Sequence, residues 1–204
     1  MNKVQILEKY LPEEAAPVIV RWIDFFQCEF KVSRSRNSKY GDYRPPFNGK
    51  PHRISVNNNL NQFAFLVTTV HEFAHLLTWN EYKKSSKPHG QEWKSNFKRM
   101  MAPFFEKSIF PPDINAAITK YLENPAASSC TDLNLYKTLK LYDTLKTGSV
   151  TVDILPVNTI FKLKNGRTFR KEEKIRKRFR CVEISTGALY LFNPMAEVFC
   201  VEAV

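Results

Sequence analysis

The stretch VHEFAHLLTW, Val70–Trp79, sets His71 and His75 four residues apart and places Glu72 directly after the first histidine. It ends a longer segment, beginning at Leu60, in which apolar residues recur every three or four positions, the spacing of a largely buried α-helix. Residues four apart on a helix lie one turn apart on the same face, so both imidazoles can reach a single ion. The stretch therefore predicts a buried helix that carries a metal site.

These residue types fit a catalytic zinc site. Zinc takes imidazole ligands at about 2.0–2.1 Å, and a catalytic site has three protein ligands and leaves the fourth position to water. Glu72 would then deprotonate this water. The alternative is a core helix that happens to carry polar residues. That alternative is costly, because two histidines and a glutamate on an apolar helix need partners when buried. We expect one Zn²⁺ ion.

A third ligand must come from beyond this helix. The metzincin pattern requires glycine at position 78 and histidine at position 81, and is excluded by Thr78 and Glu81. Glu81 also lies too near the helix end to fold back. His89 follows a loop long enough to reverse the chain and precedes a helix predicted from about Gln91 to Phe105. His89 is the preferred ligand, and Glu92, one turn further on, is its rival.

The segments before the VHEFAHLLTW helix predict one more helix and two short strands. LPEEAAPVIVRWIDFF (11–26) has helical spacing, and EFKVS (29–33) and HRISVN (52–57) alternate apolar with polar residues. The segment 35–51 between the strands is rich in turn formers and cations and predicts an exposed loop. One of Asn57 to Asn59 is expected to cap the long helix.

The segments after Phe105 divide into a helical part and a strand-rich part. Residues 111–125 and 131–143 predict two shorter helices, with the small residues of NPAASS (124–129) as a linker. Beyond Thr147 the apolar period changes to two, in the runs VTVDIL, TIFKL, RFRCVEI, ALYLF and EVFCV. The expected class is α+β, with domains at 1–125 and 148–204, the second a small antiparallel barrel-like sheet, and a linker and helix at 126–147.

Composition supports a folded protein with a localised positive charge. Hydrophobic residues make up 43% and charged residues 25% of the 204, which is ordinary globular composition. The chain starts without a signal-peptide run, and no stretch reaches the roughly 18 apolar residues of a membrane span, so we expect a cytoplasmic protein without membrane contact. The net charge is +11. Most of this excess lies in the segment 162–180, which holds ten Lys or Arg against two Glu.

This basic segment suggests contact with single-stranded or distorted DNA, since cations bind phosphates and exposed aromatics stack on unpaired bases. The alternative is that Phe161, Phe169 and Phe179 are core residues and the cations a solvated face. The candidate DNA contacts are Arg167, Arg170, Lys171, Lys174, Arg176, Lys177, Arg178 and Arg180.

The motifs SRNSKYGDY, HRISVNNNLN, TTVHEFAHLLTW and HGQEWK, in this order, resemble the SprT-like zinc metallopeptidase domain, the family that includes the Spartan DNA–protein crosslink protease. The resemblance covers residues 30–101. It implies a zincin-like helical domain with a small sheet beside the active-site helices. It also implies that His71, His75 and His89 bind zinc and that Glu72 is the catalytic acid/base.

One departure from the family concerns the cysteines. Many SprT-like proteins carry a C-terminal zinc ribbon with paired cysteines, but here the four cysteines are isolated and form no CxxC pair. A metal-free β module is expected in place of the ribbon, and a second zinc is not expected. The cysteines are Cys28, Cys130, Cys181 and Cys200.

The favoured function is therefore a zinc metallopeptidase whose substrates are proteins, in particular proteins associated with nucleic acid. Tyr40, Tyr43 and Arg44 are candidates for stabilising the oxyanion, by proximity to the motifs alone. The strand HRISV is expected to bind an extended substrate through its backbone. The competing function is a nucleic-acid-binding or transcription-associated protein with a structural or catalytically idle zinc site.

Overall fold

The structure, a computed structural model, describes residues 2–36, 39–125, 132–143 and 148–201. The chain is mixed α+β, which confirms the predicted class. It divides into two compact units, Met1–Thr144 and Leu145–Val204, called here the first and second units. Residues 126–131 and 144–147, which include Cys130 and most of the predicted linker NPAASS, lie outside the described residues.

Six α-helices of the described residues belong to the first unit. Their apolar residues form one core, in which Trp93, Phe65, Phe73, Phe97 and Phe104 are fully buried. None of the described helices is both long and apolar enough to cross a membrane. The helices are α1 (Lys3–Leu7), α2 (Ala16–Phe25), α3 (Gln62–Tyr82), α4 (Gln91–Glu106), α5 (Pro112–Glu123) and α6 (Leu133–Lys140).

The long helix α3 begins later than its predicted cap. The side chain of Asn61 accepts hydrogen bonds from the backbone N–H groups of Phe63 and Ala64, so Asn61 is the N-cap. The prediction of Asn57 to Asn59 was wrong, because Asn57 is still part of a strand. Asn61 also donates to the carbonyl of Leu139, at 2.8 Å, which ties α6 to the start of α3.

A three-stranded sheet packs on α3. It consists of β1 (Glu29–Ser33), β2 (Gly41–Arg44) and β3 (Arg53–Asn57), in the order β1-β3-β2. β1 runs parallel to β3, and β2 runs antiparallel to it. β2 lies in the segment that was predicted to be an exposed loop. That prediction was wrong because GDYR has no apolar alternation, and only its pairing with β3 and its contact with α3 make it a strand.

The position of β3 corrects a second expectation. The strand HRISV was expected to bind substrate through its backbone, but β3 is the central strand and pairs with β1 on one side and β2 on the other. Its hydrogen-bonding groups are therefore used within the sheet. A peptide could add only at an edge, at β1 or β2.

The second unit is a six-stranded antiparallel sheet that curls into a half-barrel. Phe161, Phe169, Cys181 and Val198 point inward and form its buried core. β6 was not among the predicted strands, because its cations obscure the alternation. The strands are β4 (Ser149–Thr151), β5 (Ile160–Lys162), β6 (Thr168–Ile175), β7 (Arg178–Glu183), β8 (Leu189–Phe192) and β9 (Glu197–Cys200), in the order β4-β9-β5-β6-β7-β8.

Candidate metal centre

Three histidines meet at one point in the first unit. Helix α3 supplies His71 and His75, and the turn before α4 supplies His89. The Nε2 atoms of His71 and His75 are 3.2 Å apart, those of His75 and His89 3.0 Å, and those of His89 and His71 3.2 Å. Two nitrogens bound to one tetrahedral zinc at about 2.0–2.1 Å lie about 3.3 Å apart. The triangle of nitrogen atoms therefore has the size that one metal ion requires.

The backbone before α4 turns His89 toward α3. His89 has φ of +57°, a left-handed conformation that residues other than glycine seldom adopt and that is often found at functional sites. The next residue, Gly90, is the N-cap of α4, and its N–H donates to the carbonyl of Lys87 at 2.9 Å. A tight turn thus sets the imidazole at the start of the helix.

The two carboxylates considered as alternative ligands are not part of this group of donor atoms. Glu81 accepts a hydrogen bond from Asn96 at 2.8 Å and pairs with Arg99. The carboxylate of Glu92 lies beside Gly90 at the first turn of α4. Among the candidates weighed from the sequence, only His89 joins His71 and His75.

The three imidazoles are held in the neutral form. Burial lowers the pKa of His71 well below its usual value, and the neighbouring His75 and His89 lower it further. Burial, together with the neighbouring His89, lowers the pKa of His75 to about 3, and burial lowers the pKa of His89. Neutral imidazoles keep a lone pair for a metal ion. Three such nitrogens cannot all satisfy one another by hydrogen bonds, so a bound cation is the partner that fits this cluster.

A tryptophan packs against all three histidines. The ring of Trp93 lies 4.7 Å from the His71 ring, 5.3 Å from that of His75 and 4.7 Å from that of His89, measured between centroids. Phe97 stacks on Trp93 at 5.1 Å and fixes it in the core. Packing of this kind orients metal ligands before the metal binds. The sequence analysis quoted Trp93 within HGQEWK but gave it no role.

Strand β2 holds the carboxyl group of Glu72. The backbone N–H of Tyr43 donates a hydrogen bond to it. Gly41 lies so close that a Cβ atom at that position would be 2.3 Å from Glu72 Oε1. The Tyr43 ring is parallel to the His75 ring at 6.2 Å, and its hydroxyl lies 2.9 Å from Nδ1 of His52. These contacts were missed from the sequence because β2 was not recognised as a strand.

The surroundings of Glu72 adjust its acidity. The pKa of this carboxyl is raised to about 8, mainly by burial and also by the nearby Asp42, whereas Arg36, Lys39 and the Tyr43 N–H act in the opposite direction. The side chain is 7% exposed. A carboxyl group with a pKa near neutrality can both accept and return a proton, as a general acid/base must.

The remaining oxyanion candidates lie at the two ends of β2. Arg44 is at the end of the strand, where its exposed side chain pairs with Asp42 at 2.9 Å. Tyr40 precedes the strand, and its carbonyl accepts a hydrogen bond from the backbone N–H of Asn57. Neither contact assigns an oxyanion role.

The predicted DNA contacts in the second unit fall into two sets. In the first set, Arg167 bonds Glu183 at 2.7 Å, buried Lys171 donates to the carbonyls of Asp153 and Leu155, and Arg170 and Arg180 pair with Glu172. All four side chains therefore have partners within the second unit. The second set is exposed at the end of the β6–β7 hairpin and comprises Lys174, Arg176, Lys177 and Arg178.

The burial of Phe161, Phe169 and Phe179 distinguishes between core residues and rings that could stack on bases. Phe161 is 0% and Phe169 1% exposed, and both belong to the core of the second unit. Neither can stack on a base. Phe179 is partly buried against the same core and lies beneath the ammonium group of Lys171. Base stacking by these rings is therefore not supported, and the core interpretation holds.

Residues 13–119 match the model of the SprT-like family. The matched range covers the three-stranded sheet, helices α2 to α4 and most of α5, and it includes the three clustered histidines and Glu72. No curated protein and no solved structure gave a significant match to the chain.

Proposed function

Because the chain belongs to the SprT-like family, we propose that it is a zinc-dependent metallopeptidase that holds one ion with His71, His75 and His89 and uses Glu72 as acid/base. The observation that carries this proposal is the triangle of three imidazole nitrogens, 3.0–3.2 Å apart, two of which lie on the helix that also carries the buried carboxyl group of Glu72. The family match confirms the resemblance seen in the sequence motifs.

The zinc ion and the protein would contribute different parts of peptide-bond hydrolysis. Zinc, when bound, supplies Lewis-acid chemistry that polarises a substrate carbonyl and acidifies water. Glu72 takes the proton from the attacking water and returns it to the leaving amine. The Tyr43 N–H and the close approach of Gly41 keep this carboxyl group in one orientation during both transfers.

Strand β2 is the best candidate for substrate binding. It is an edge of the three-stranded sheet in the described residues, and it contacts both Glu72 and His75. An extended peptide could add to this edge through backbone hydrogen bonds, which place little demand on its side chains. Loose sequence specificity is therefore expected.

A nucleic-acid-associated protein is the proposed substrate class. The support is electrostatic, namely the net charge of +11 and the exposed cations Lys174, Arg176, Lys177 and Arg178. Such cations would bind phosphates and concentrate the enzyme on DNA. A DNA affinity that does not change with salt concentration would contradict this part of the proposal.

The alternative is a nucleic-acid-binding or transcription-associated protein in which the metal site is structural or idle. Two observations count against it. Among the described residues the group of donor atoms has three members, whereas closed structural zinc sites use four protein ligands. A structural site also does not need a carboxyl group next to a ligand in the sequence, as Glu72 is next to His71.

The test compares the purified wild-type protein with His89→Ala and Glu72→Gln. We expect about one zinc per wild-type chain by elemental analysis, sharply reduced zinc in His89→Ala, and full zinc in Glu72→Gln. Wild type should cleave an unfolded protein substrate, and Glu72→Gln should be slower by about 10²-fold or more. Wild type that holds no zinc after zinc is supplied, or a Glu72→Gln variant that cleaves normally, would overturn the proposal.

A further inference from the structure

The outer face of the second unit's sheet carries several exposed apolar residues beside its cations. Phe169 and Cys181 point inward, so their neighbours along β6 and β7 point outward. The strand registers align Ile160 with Arg170, Arg170 with Val182, and Val182 with Leu189, in one row across four strands. Of these, Leu189 is 65% and Ile160 42% exposed.

A second row extends this apolar surface. Leu191, 54% exposed, lies opposite Arg180, and Ile184, 49% exposed, continues the outward side of β7. Scattered exposed apolar residues are ordinary, but a contiguous group is typical of an interaction site. The surface formed by these two rows and Ile184 is called the aliphatic face.

The aliphatic face ends at a free strand edge. β8 is the last strand of the sheet and, among the described residues, pairs only with β7. Proteins commonly protect such an edge with lysine, proline or a bulge. β8 reads LYLF and carries none of these. Its backbone can therefore accept another strand.

The chemistry of this face favours protein over nucleic acid. Binding of unpaired bases relies on exposed aromatic rings, but Phe161 and Phe169 lie in the core, and the exposed outward residues of β8, Leu189 and Leu191, are aliphatic. A group of exposed apolar residues rimmed by polar side chains is instead typical of a protein interaction site, and arginine is enriched at such sites.

The charge of the face favours an acidic partner over a second copy of the chain. Lys162, Arg170, Arg178 and Arg180 lie on the outward side, where Glu172 pairs with two of them. Positive charge therefore predominates. A second copy would bring two such faces together and add repulsion between chains that each carry +11.

We propose that β8 and the aliphatic face bind an extended acidic peptide of another protein, which adds to the sheet as a seventh strand. Backbone hydrogen bonds to β8 provide affinity, and outward-facing side chains provide specificity. Aliphatic side chains of the peptide lie beside Leu189 and Leu191, and an acidic side chain further along the same face reaches Arg178 or Arg180. Because alternate residues face outward, the expected motif is aliphatic-x-aliphatic-x-acidic. This site goes beyond the proposed peptidase activity and does not depend on it.

The test selects random ten-residue peptides displayed on phage against the full-length wild-type chain. The decisive variant is the double substitution Leu189→Lys with Leu191→Lys. Both side chains are more than half exposed, so the fold should tolerate the change. Val157→Lys is the matched control, because Val157 is also exposed, at 51%, in the second unit but lies outside β8.

Selected peptides should share the expected motif, bind wild type and Val157→Lys equally, and bind the double variant at least tenfold more weakly. Bound peptide should shift the backbone amide NMR signals of β7 and β8. The proposal is wrong if no motif is enriched, if the peptides lack acidic residues, or if the double variant binds them normally. It is also wrong if the double variant abolishes dimers seen by light scattering, or if single-stranded DNA gives the β8 shifts instead.

Discussion

At the scale of single residues, the candidate site depends on residues that contact the metal-binding and proton-transferring groups without binding metal or transferring protons themselves. Gly41 presses on the Glu72 carboxyl group, and Trp93 packs on all three imidazoles. Neither residue carries a group that binds metal or transfers protons. Gly41 restricts the position of the Glu72 carboxyl group, and Trp93 restricts the positions of the three imidazoles. Substitutions at these two residues therefore test positioning while every metal ligand stays in place.

Gly41→Ala should impair hydrolysis without removing zinc. The added Cβ would lie 2.3 Å from Glu72 Oε1, so the carboxyl group must move. Gly41 is not among the residues with positive φ, so alanine should not strain the backbone. We expect hydrolysis to fall about tenfold to 100-fold, as a misplaced acid/base predicts. Asn59→Ala, at an exposed turn of the same unit, is the control. Loss of zinc in Gly41→Ala would show that the contact is structural instead.

Trp93→Phe should weaken zinc binding. The smaller ring leaves a gap beside the three imidazoles and frees His89, which lies on a turn, more than the two histidines on α3. Changes around metal ligands commonly reduce affinity 10-fold to 100-fold, and we expect a loss of about that size. Competition with a chromogenic chelator measures it. Trp22→Phe is the matched control, since Trp22 packs on Phe73 and Phe104 in the same core. Equal zinc affinity in both variants would contradict a specific role for Trp93.

At the scale of elements, the sequence predicted the helices and strands whose apolar periodicity lies within their own residues. α3 and β1 follow from periodicity within their own residues, and both were expected close to their observed ranges. β2 was missed because GDYR becomes a strand only through pairing with β3 and contact with α3. The cap of α3 was misplaced because several nearby asparagines suit a cap equally well, and the choice of Asn61 depends on where β3 ends.

Asn61→Ala should destabilise the first unit more than an ordinary cap substitution does. Asn61 caps α3 and also donates to Leu139 and Asp143, so alanine removes contacts at the start of α3 and the end of α6. Loss of a cap costs about 1 kcal/mol, and we expect a decrease of about 2 kcal/mol in the free energy of unfolding. Urea denaturation measures it. Asn59→Ala, at an exposed turn, should change stability by less than about 0.5 kcal/mol. Equal values for the two variants would refute the dual role.

At the scale of the whole molecule, local spacing predicted that His71 and His75 lie together. Tertiary contacts instead determine which cations of the second unit have partners within the sheet and which are exposed. His71 and His75 meet because a helix brings residues four apart together. The segment 162–180 suggested one basic surface, whereas the structure gives half of the candidate cations partners within the sheet. The number of cations in a segment does not show which of their side chains pair with a carboxylate or a carbonyl group in the folded protein.

The division of the candidate cations into paired and exposed side chains predicts that substitutions in the two sets have opposite effects. Replacing Lys174, Arg176, Lys177 and Arg178 by alanine should weaken single-stranded DNA binding and leave the melting temperature unchanged. If each contacts one phosphate, the slope of log affinity against log salt should fall by about 2.8, at about 0.7 per contact. Arg167→Ala should instead destabilise the second unit and barely affect DNA, because Arg167 pairs with Glu183 and lowers the pKa of that carboxyl to about 2.

Fluorescence anisotropy with labelled DNA at several salt concentrations, together with thermal unfolding of each variant, separates the two effects. Arg167 also lies over the rings of Phe169 and Tyr190, so its loss disturbs packing as well as charge. A charge-reversed pair, Arg167→Glu with Glu183→Arg, should restore part of the stability and still leave DNA affinity unchanged. If Arg167→Ala weakens DNA binding as much as the four-residue variant does, the sheet rather than the hairpin end contacts DNA, and the division into two sets is wrong.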